Sequence, residues 1–137
     1  MVQRTKVNLD VKNTIYQDND VDRFELKAAG ILVQSNDLCY LTYNDHENKT
    51  VWEIYNSDHL KLKRMGNNKT TYDFVIGKVT HTCYQTQYGV LSFDVITEKI
   101  DLFMDENLKK GKITLKYQLE TGKMIVGKYI VQLKFSA

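Results

Sequence analysis

The amino-acid sequence predicts an all-β protein, an antiparallel meander closed into a single barrel over residues 1–137. Three observations carry this. The chain of 137 residues contains no proline, as suits a backbone committed to hydrogen-bonded ladders, because proline has no N–H to give them. Apolar and polar residues alternate along most of the chain, the period-two mark of strands with one wet face. Clusters of Asn, Asp and Gly part these runs, and those residues tolerate the positive φ that tight hairpins need.

In chain order, Val7, Leu9 and Val11 alternate with Asn8, Asp10 and Lys12, and Phe24, Leu26 and Ala28 with Glu25 and Lys27. Leu60/Leu62, Tyr72/Phe74/Ile76, Leu91/Phe93/Val95 and Ile100/Leu102/Met104 follow, then Ile113/Leu115/Tyr117/Leu119 and Tyr129/Val131/Leu133/Phe135. Between them stand Gln17-Asp18-Asn19-Asp20, Ser35-Asn36-Asp37, Asn56-Ser57-Asp58, Gly66-Asn67-Asn68, Gln87-Tyr88-Gly89 and Thr121-Gly122. Roughly ten strands joined by short turns read as a meander. Left open, it would expose two edges to aggregation, and closing it into a barrel of about eight to ten strands removes them. The only helical expectation is a single turn at Asp105-Glu106-Asn107-Leu108-Lys109-Lys110.

Composition excludes several classes. A length of 137 residues fits one domain, and 11% aromatic content in ordered patterns speaks against disorder. The apolar run around Ala28-Ala29-Gly30-Ile31-Leu32-Val33 is far short of the ~20 residues of a membrane span. Met1-Val2-Gln3-Arg4-Thr5-Lys6 lacks an apolar signal core, so the expectation is a cytoplasmic protein without a membrane partner. Sixteen Lys accompany only three Arg, and the isoelectric point is about 8.4. That balance lacks a dedicated nucleic-acid face, since Lys is the poorer residue for bidentate recognition. Lys109, Lys110 and Lys112 form the one dense cluster, behind Asp105 and Glu106. Cys39 and Cys83 are expected as free thiols that behave as small hydrophobes.

Some motifs resemble sites without completing them. Asp18-Asn19-Asp20-Val21-Asp22 opens like a calcium loop, but Arg23 and Ala29 occupy the places of its glycine and bidentate glutamate. Gly66-Asn67-Asn68-Lys69-Thr70 lacks the second glycine and following helix of a phosphate loop and reads as a hairpin tip. Asn48-Lys49-Thr50 and Asn68-Lys69-Thr70 match the glycosylation sequon and fit turns. His81 and Cys83 share a strand face with Gln85, the polar side of a hairpin. His46, His59 and Cys39 have no spacing that would complete a metal set around them. No metal or cofactor is expected, and no nucleophile–base or carboxylate pair identifies an enzyme.

Several stretches carry a family resemblance: Lys6-Val7-Asn8-Leu9, Phe24-Glu25-Leu26-Lys27-Ala28-Ala29-Gly30, Leu38-Cys39-Tyr40-Leu41-Thr42-Tyr43, Thr86-Gln87-Tyr88-Gly89 with Leu91-Ser92-Phe93, and residues 111–119. In this order they resemble the YwiB-like family of small, uncharacterised Gram-positive bacterial proteins. The resemblance covers nearly the whole chain and implies a calycin-type (lipocalin-like) barrel. It brings no activity and no functional residues. Calycins often hold a small apolar ligand inside the barrel, an analogy of fold alone. Secreted lipocalins carry a Gly-x-Trp at the first strand, whereas the only tryptophan here, Trp52, lies mid-chain.

The informative residues are polar ones in phase with apolar neighbours. Arg64 follows Leu60 and Leu62, Asn13 follows Val7, Leu9 and Val11, and Glu53 sits between Val51 and Tyr55. In phase, they reach the interior or its mouth and orient a ligand between apolar walls. Out of phase, a bulge turns Arg64 outward, or a carboxylate pairs with it and plugs the barrel end. The leading expectation is a barrel that binds a small, mostly apolar molecule, contacted by Trp52, Arg64 and Tyr117. The alternative is a solid barrel that meets a protein partner or its own copy as a homo-oligomer through exposed Tyr55, Tyr84 and Phe103. A hidden enzyme would show itself by a buried carboxylate such as Glu53 with a strongly raised pKa.

Overall fold

Ten strands alternate their side chains between a packed interior and an outer surface. The computed structural model describes residues 2–35, 38–45, 48–66, 69–105, 109–122 and 124–137. The strands are β1 (Gln3–Gln17), β2 (Asp20–Gln34), β3 (Cys39–Asp45), β4 (Asn48–Asn56), β5 (His59–Met65), β6 (Thr70–Val75), β7 (Val79–Thr86), β8 (Gly89–Met104), β9 (Lys110–Thr121) and β10 (Met124–Ser136). The described residues contain no helix. The helical turn expected near Asp105 falls on residues 106–108, outside the described residues, as do His46 and the hairpin tip at 67–68.

One sheet holds all ten strands, in the order β6-β5-β4-β3-β2-β1-β10-β9-β8-β7. Neighbours in sequence pair antiparallel, apart from β6 and β7, and β1 also pairs with β10, which brings the chain ends together (Asn8↔Ser136, Tyr16↔Lys128). The sheet thereby wraps round until its outermost strands, β6 and β7, lie side by side. They are joined by side chains instead of a backbone ladder. The Thr80 hydroxyl donates to the carbonyl of Asp73, and the Thr82 hydroxyl donates to the carbonyl of Thr71 at 2.5 Å. Thr82 is buried there. The threonines supply donors to an edge whose carbonyls would otherwise face no ladder partner, so the barrel is nearly closed.

Two apolar runs that read as separate strands are one. Leu91/Phe93/Val95 and Ile100/Leu102/Met104 both belong to β8, with a register shift between Thr97 and Lys99. An inserted residue flips the alternation, so inward positions move from odd to even numbers across the bulge. The β1–β2 turn is made by Asp18 at φ 52, a left-handed conformation that Asp tolerates. The calcium-like Asp run is thus the tip and flank of a tight hairpin. Gly122, at φ 63, takes the same role between β9 and β10.

The interior is packed at one end and open at the other. Leu32, Leu41, Leu60, Phe74, Val95, Ile113, Leu115 and Leu133 are all shielded from solvent. They fill the half of the barrel nearer the chain ends. One outer-surface expectation is revised. Tyr84 is half-buried, because it shares the inward phase of Thr80 and Thr82. Tyr55 is exposed, as expected, with its ring stacked on His59 at 4.4 Å and its hydroxyl bonded to Glu53. Phe103 is exposed, as expected. Both cysteines are free, but Cys83 is exposed and only Cys39 is partly buried. Burial pushes the Cys39 thiol up to about 11, which keeps it protonated and unreactive at neutral pH.

Candidate functional site: an aromatic cavity in the open half of the barrel

The strand ends nearest the β1–β2 and β9–β10 turns surround a cavity of about 470 Å³. Each strand reaches it through its inward phase, which continues past the packed core: Val11, Asn13 and Ile15 from β1, Phe24 and Leu26 from β2, Tyr129 and Val131 from β10. The floor is aromatic. Trp52 stacks with Phe74 at 6.3 Å, Phe74 with Tyr72 at 5.8 Å, and Tyr117 with Tyr129 at 4.9 Å. Phe74 and Tyr117, 4.7 Å apart at 48°, join the two stacks. Rings from β4, β6, β9 and β10 thus form a continuous band between the packed half and the open half, held by offset and tilted contacts.

Above that band runs a polar arc set by register. Thr50 on β4 stands opposite Tyr43 on β3 and Arg64 on β5. Trp52 donates its indole N–H to the Tyr43 hydroxyl at 3.1 Å. An Arg64 guanidinium N–H donates to the Asp45 carboxylate at 2.8 Å. The Arg64 side chain is 45% exposed and Asp45 20%, so the pair sits at the mouth and leaves the interior open. Burial pushes the phenols of Tyr43, Tyr72 and Tyr117 up, against a downward pull from the Arg64 charge on all three. They remain neutral hydroxyls at physiological pH. Two buried polar atoms beside the cavity, Asn13 Oδ1 and Thr50 Oγ1, have no hydrogen-bond partner among the described residues, although buried polar groups are nearly always satisfied.

The structure therefore brings Trp52, Arg64 and Tyr117 to one cavity, with Asn13 beside them. Both alternatives for Arg64 hold in part, for it pairs with a carboxylate and still lines an open space. Glu53 does not join them. It is buried, but on the outer face, between the Lys63 ammonium at 2.7 Å and the Tyr55 hydroxyl at 2.8 Å. Desolvation raises its pKa, yet the hydrogen bonds from Lys63 and Tyr55 outweigh that and leave it below the ordinary value. The raised carboxylate that would have pointed to an acid catalyst is not found at Glu53. In the other direction, Tyr55 is pushed up to about 12, chiefly because its hydroxyl bonds Glu53. Tyr43, Asp45, Thr50 and Tyr72 escaped sequence reasoning, because only the cross-strand register gathers them.

Elsewhere, His81 and Asp94 meet at 2.6 Å on the exposed face of β7 and β8. Cys83 approaches Ser92 at 3.6 Å beside them. Among the described residues, no group of three His, Cys, Asp or Glu could hold a metal ion. Nor is any helix among them long and apolar enough to cross a membrane. A groove of about 760 Å³ lies on the outer surface over β2, β1, β10, β9 and β8, and includes Phe103.

Comparison with known proteins agrees with the architecture. The chain is 28% identical over 126 residues to the uncharacterised β-barrel protein YwiB of Bacillus subtilis (strain 168), an alignment covering 89% of this chain and 87% of that protein. The crystal structure of the Bacillus subtilis ywiB protein matches with a TM-score of 0.85 at 24% identity, over 98% of this chain and 92% of that one. At that identity the match speaks for the fold. A family profile described as a domain of unknown function, DUF1934, matches residues 9–133. With an all-β, ten-stranded barrel and a profile match over nearly its full length, the chain belongs to the DUF1934 family.

Proposed function

We propose that this protein is a non-catalytic, cytoplasmic binding barrel of calycin type, which takes a small, mostly apolar molecule into its open half. The observation that carries this reading is the aromatic cavity of about 470 Å³. Its size falls within the range of small-molecule sites, and a few polar groups converge on apolar walls, as such sites require. Among the described residues Thr50 Oγ1 has no partner, and a ligand group that bonds its hydroxyl recovers part of the roughly 1–3 kcal/mol that an unsatisfied buried group costs. The neutral dye Nile red should bind with one site per chain and a blue-shifted emission. Val11 lines the cavity, and Val11→Phe puts a ring into it. That substitution should weaken dye binding roughly tenfold or more while the urea midpoint stays near that of the parent. Unchanged dye affinity in a folded Val11→Phe protein would remove the cavity from the reading.

A second reading, self-association, is favoured by one outer-surface row. Lys27, Asp10, Lys134, Lys112 and Phe103 lie directly opposite one another across five strands, with Phe103 58% exposed. Lys112 and Lys134 face each other as like charges, which is unfavourable in isolation. The exposed β1–β2 tip of a second copy, with Asp18, Asp20 and Asp22, offers the opposite charge. Sedimentation velocity should then show an association that weakens with salt and with Phe103→Ser. A monomer at every concentration and salt would end this second reading.

A further inference from the structure

We propose that the molecule taken up is an aromatic carboxylate, its ring system on the aromatic floor and its anionic group on the arc formed by Tyr43, Thr50 and Arg64. This rests on the small-molecule reading above and adds the chemical class.

The polar groups at the arc are weighted towards donors. The Tyr43 hydroxyl accepts from Trp52, so its own proton is free to be donated. The hydroxyls of Tyr72 and Tyr117 bond no other described residue. Burial keeps these phenols protonated, so they face an anion as donors and never as competing charges. Arg64 spends a single N–H on Asp45, and a guanidinium has several more in a planar fork that matches a carboxylate. Tyr43, Tyr72, Tyr117 and Arg64 line the same cavity, and the positive charge of Arg64 acts on all three phenols. Thr50 lies in register between Tyr43 and Arg64 with an unsatisfied oxygen, and its hydroxyl can donate to the same group.

An organic cation would meet the Asn13 amide oxygen but no unengaged carboxylate. The two carboxylates lining the cavity are both engaged, Asp45 with Arg64 at 2.8 Å and Glu25, on the rim, with Lys27 at 3.8 Å. The floor decides the other half of the ligand. Trp52, Tyr72, Tyr117 and Tyr129 line the cavity, backed by the fully buried Phe74, and present aromatic surface that a planar ring matches in offset or edge-to-face contact.

The test is displacement of Nile red by three ligands on one skeleton: naphthalene carboxylate, its carboxamide and its aminomethyl analogue. The carboxylate should displace the dye at roughly tenfold lower concentration than the carboxamide, and the amine should be weakest. In Arg64→Gln the ratio of carboxylate to carboxamide should fall to one or below. In Tyr72→Phe, which removes one donor and no charge, the ratio should shrink without vanishing. Because the ratio is internal to each protein, a general loss of affinity does not mimic the effect. A carboxamide or amine that displaces the dye as well as the acid would overturn the proposal while leaving the cavity reading intact. Failure of Nile red itself to bind would count against the cavity reading first. An Arg64→Gln protein that keeps the full ratio would overturn the role of the arc.

Discussion

Phe74→Ala should be the most damaging single truncation in the barrel, with a stability loss of about 3–5 kcal/mol. The Phe74 ring is fully buried and is the hinge of the aromatic band, stacked between Trp52 and Tyr72 and tilted against Tyr117. Removing it deletes buried apolar area and leaves a void directly beneath the ligand cavity. The loss is a large share of the ~5–15 kcal/mol that typically holds a domain together. A urea titration followed by the fluorescence of Trp52, the only tryptophan, should show the midpoint fall sharply. The folded variant should also bind Nile red more weakly, because Phe74 supports Trp52, Tyr72 and Tyr117, which line the cavity. A loss below about 1 kcal/mol would mean that the band is not a packed element.

Gly30→Val should be the second. Gly30 lies on β2 between Val7 and Tyr43, with its missing side chain on the inner face. A Cβ there would come 2.5 Å from Leu9 Cδ1 and 2.6 Å from the Thr42 carbonyl oxygen. The leucine can yield by changing rotamer, but the carbonyl belongs to the β3 backbone and cannot move alone. Overpacking of this kind costs about 1–3 kcal/mol. Here the strain passes to Tyr43, whose Cβ is 3.3 Å away and whose hydroxyl stands at the head of the polar arc. The expected result is a lower urea midpoint together with weaker Nile red binding. Full stability in Gly30→Val would show that β2 and β3 are not packed so closely.

Much of this architecture is written locally. The alternation along β1, β9 and β10 places Leu9, Ile113, Leu115, Leu133 and Phe135 inside without knowledge of their partners. The same phase carries Arg64 and Tyr117 to the cavity, which is why they were legible as site candidates. Glu53 fails the same logic for a physical reason. β4 carries apolar residues on both faces, with Trp52 and Ile54 inward and Val51 and Tyr55 outward, so period two cannot say which face is the core. The bulge in β8 is likewise invisible in sequence, because an inserted residue looks the same as a break between two strands. The polar arc depends on the long-range register among β3, β4 and β5, and the seam depends on β1 pairing with β10. Neither is fixed by local pattern. The threonines at the seam, Thr80 and Thr82, show only as polar residues in a strand until β6 lies beside them.

Native mass spectrometry of the protein isolated gently from its own cells tests the binding reading most directly. A reproducible extra mass of small-molecule size, released on denaturation and reduced in Val11→Phe, is the expected result. Its composition would also reveal whether it carries a carboxylate. A bare polypeptide mass from every preparation, with Nile red excluded as well, would contradict the binding barrel.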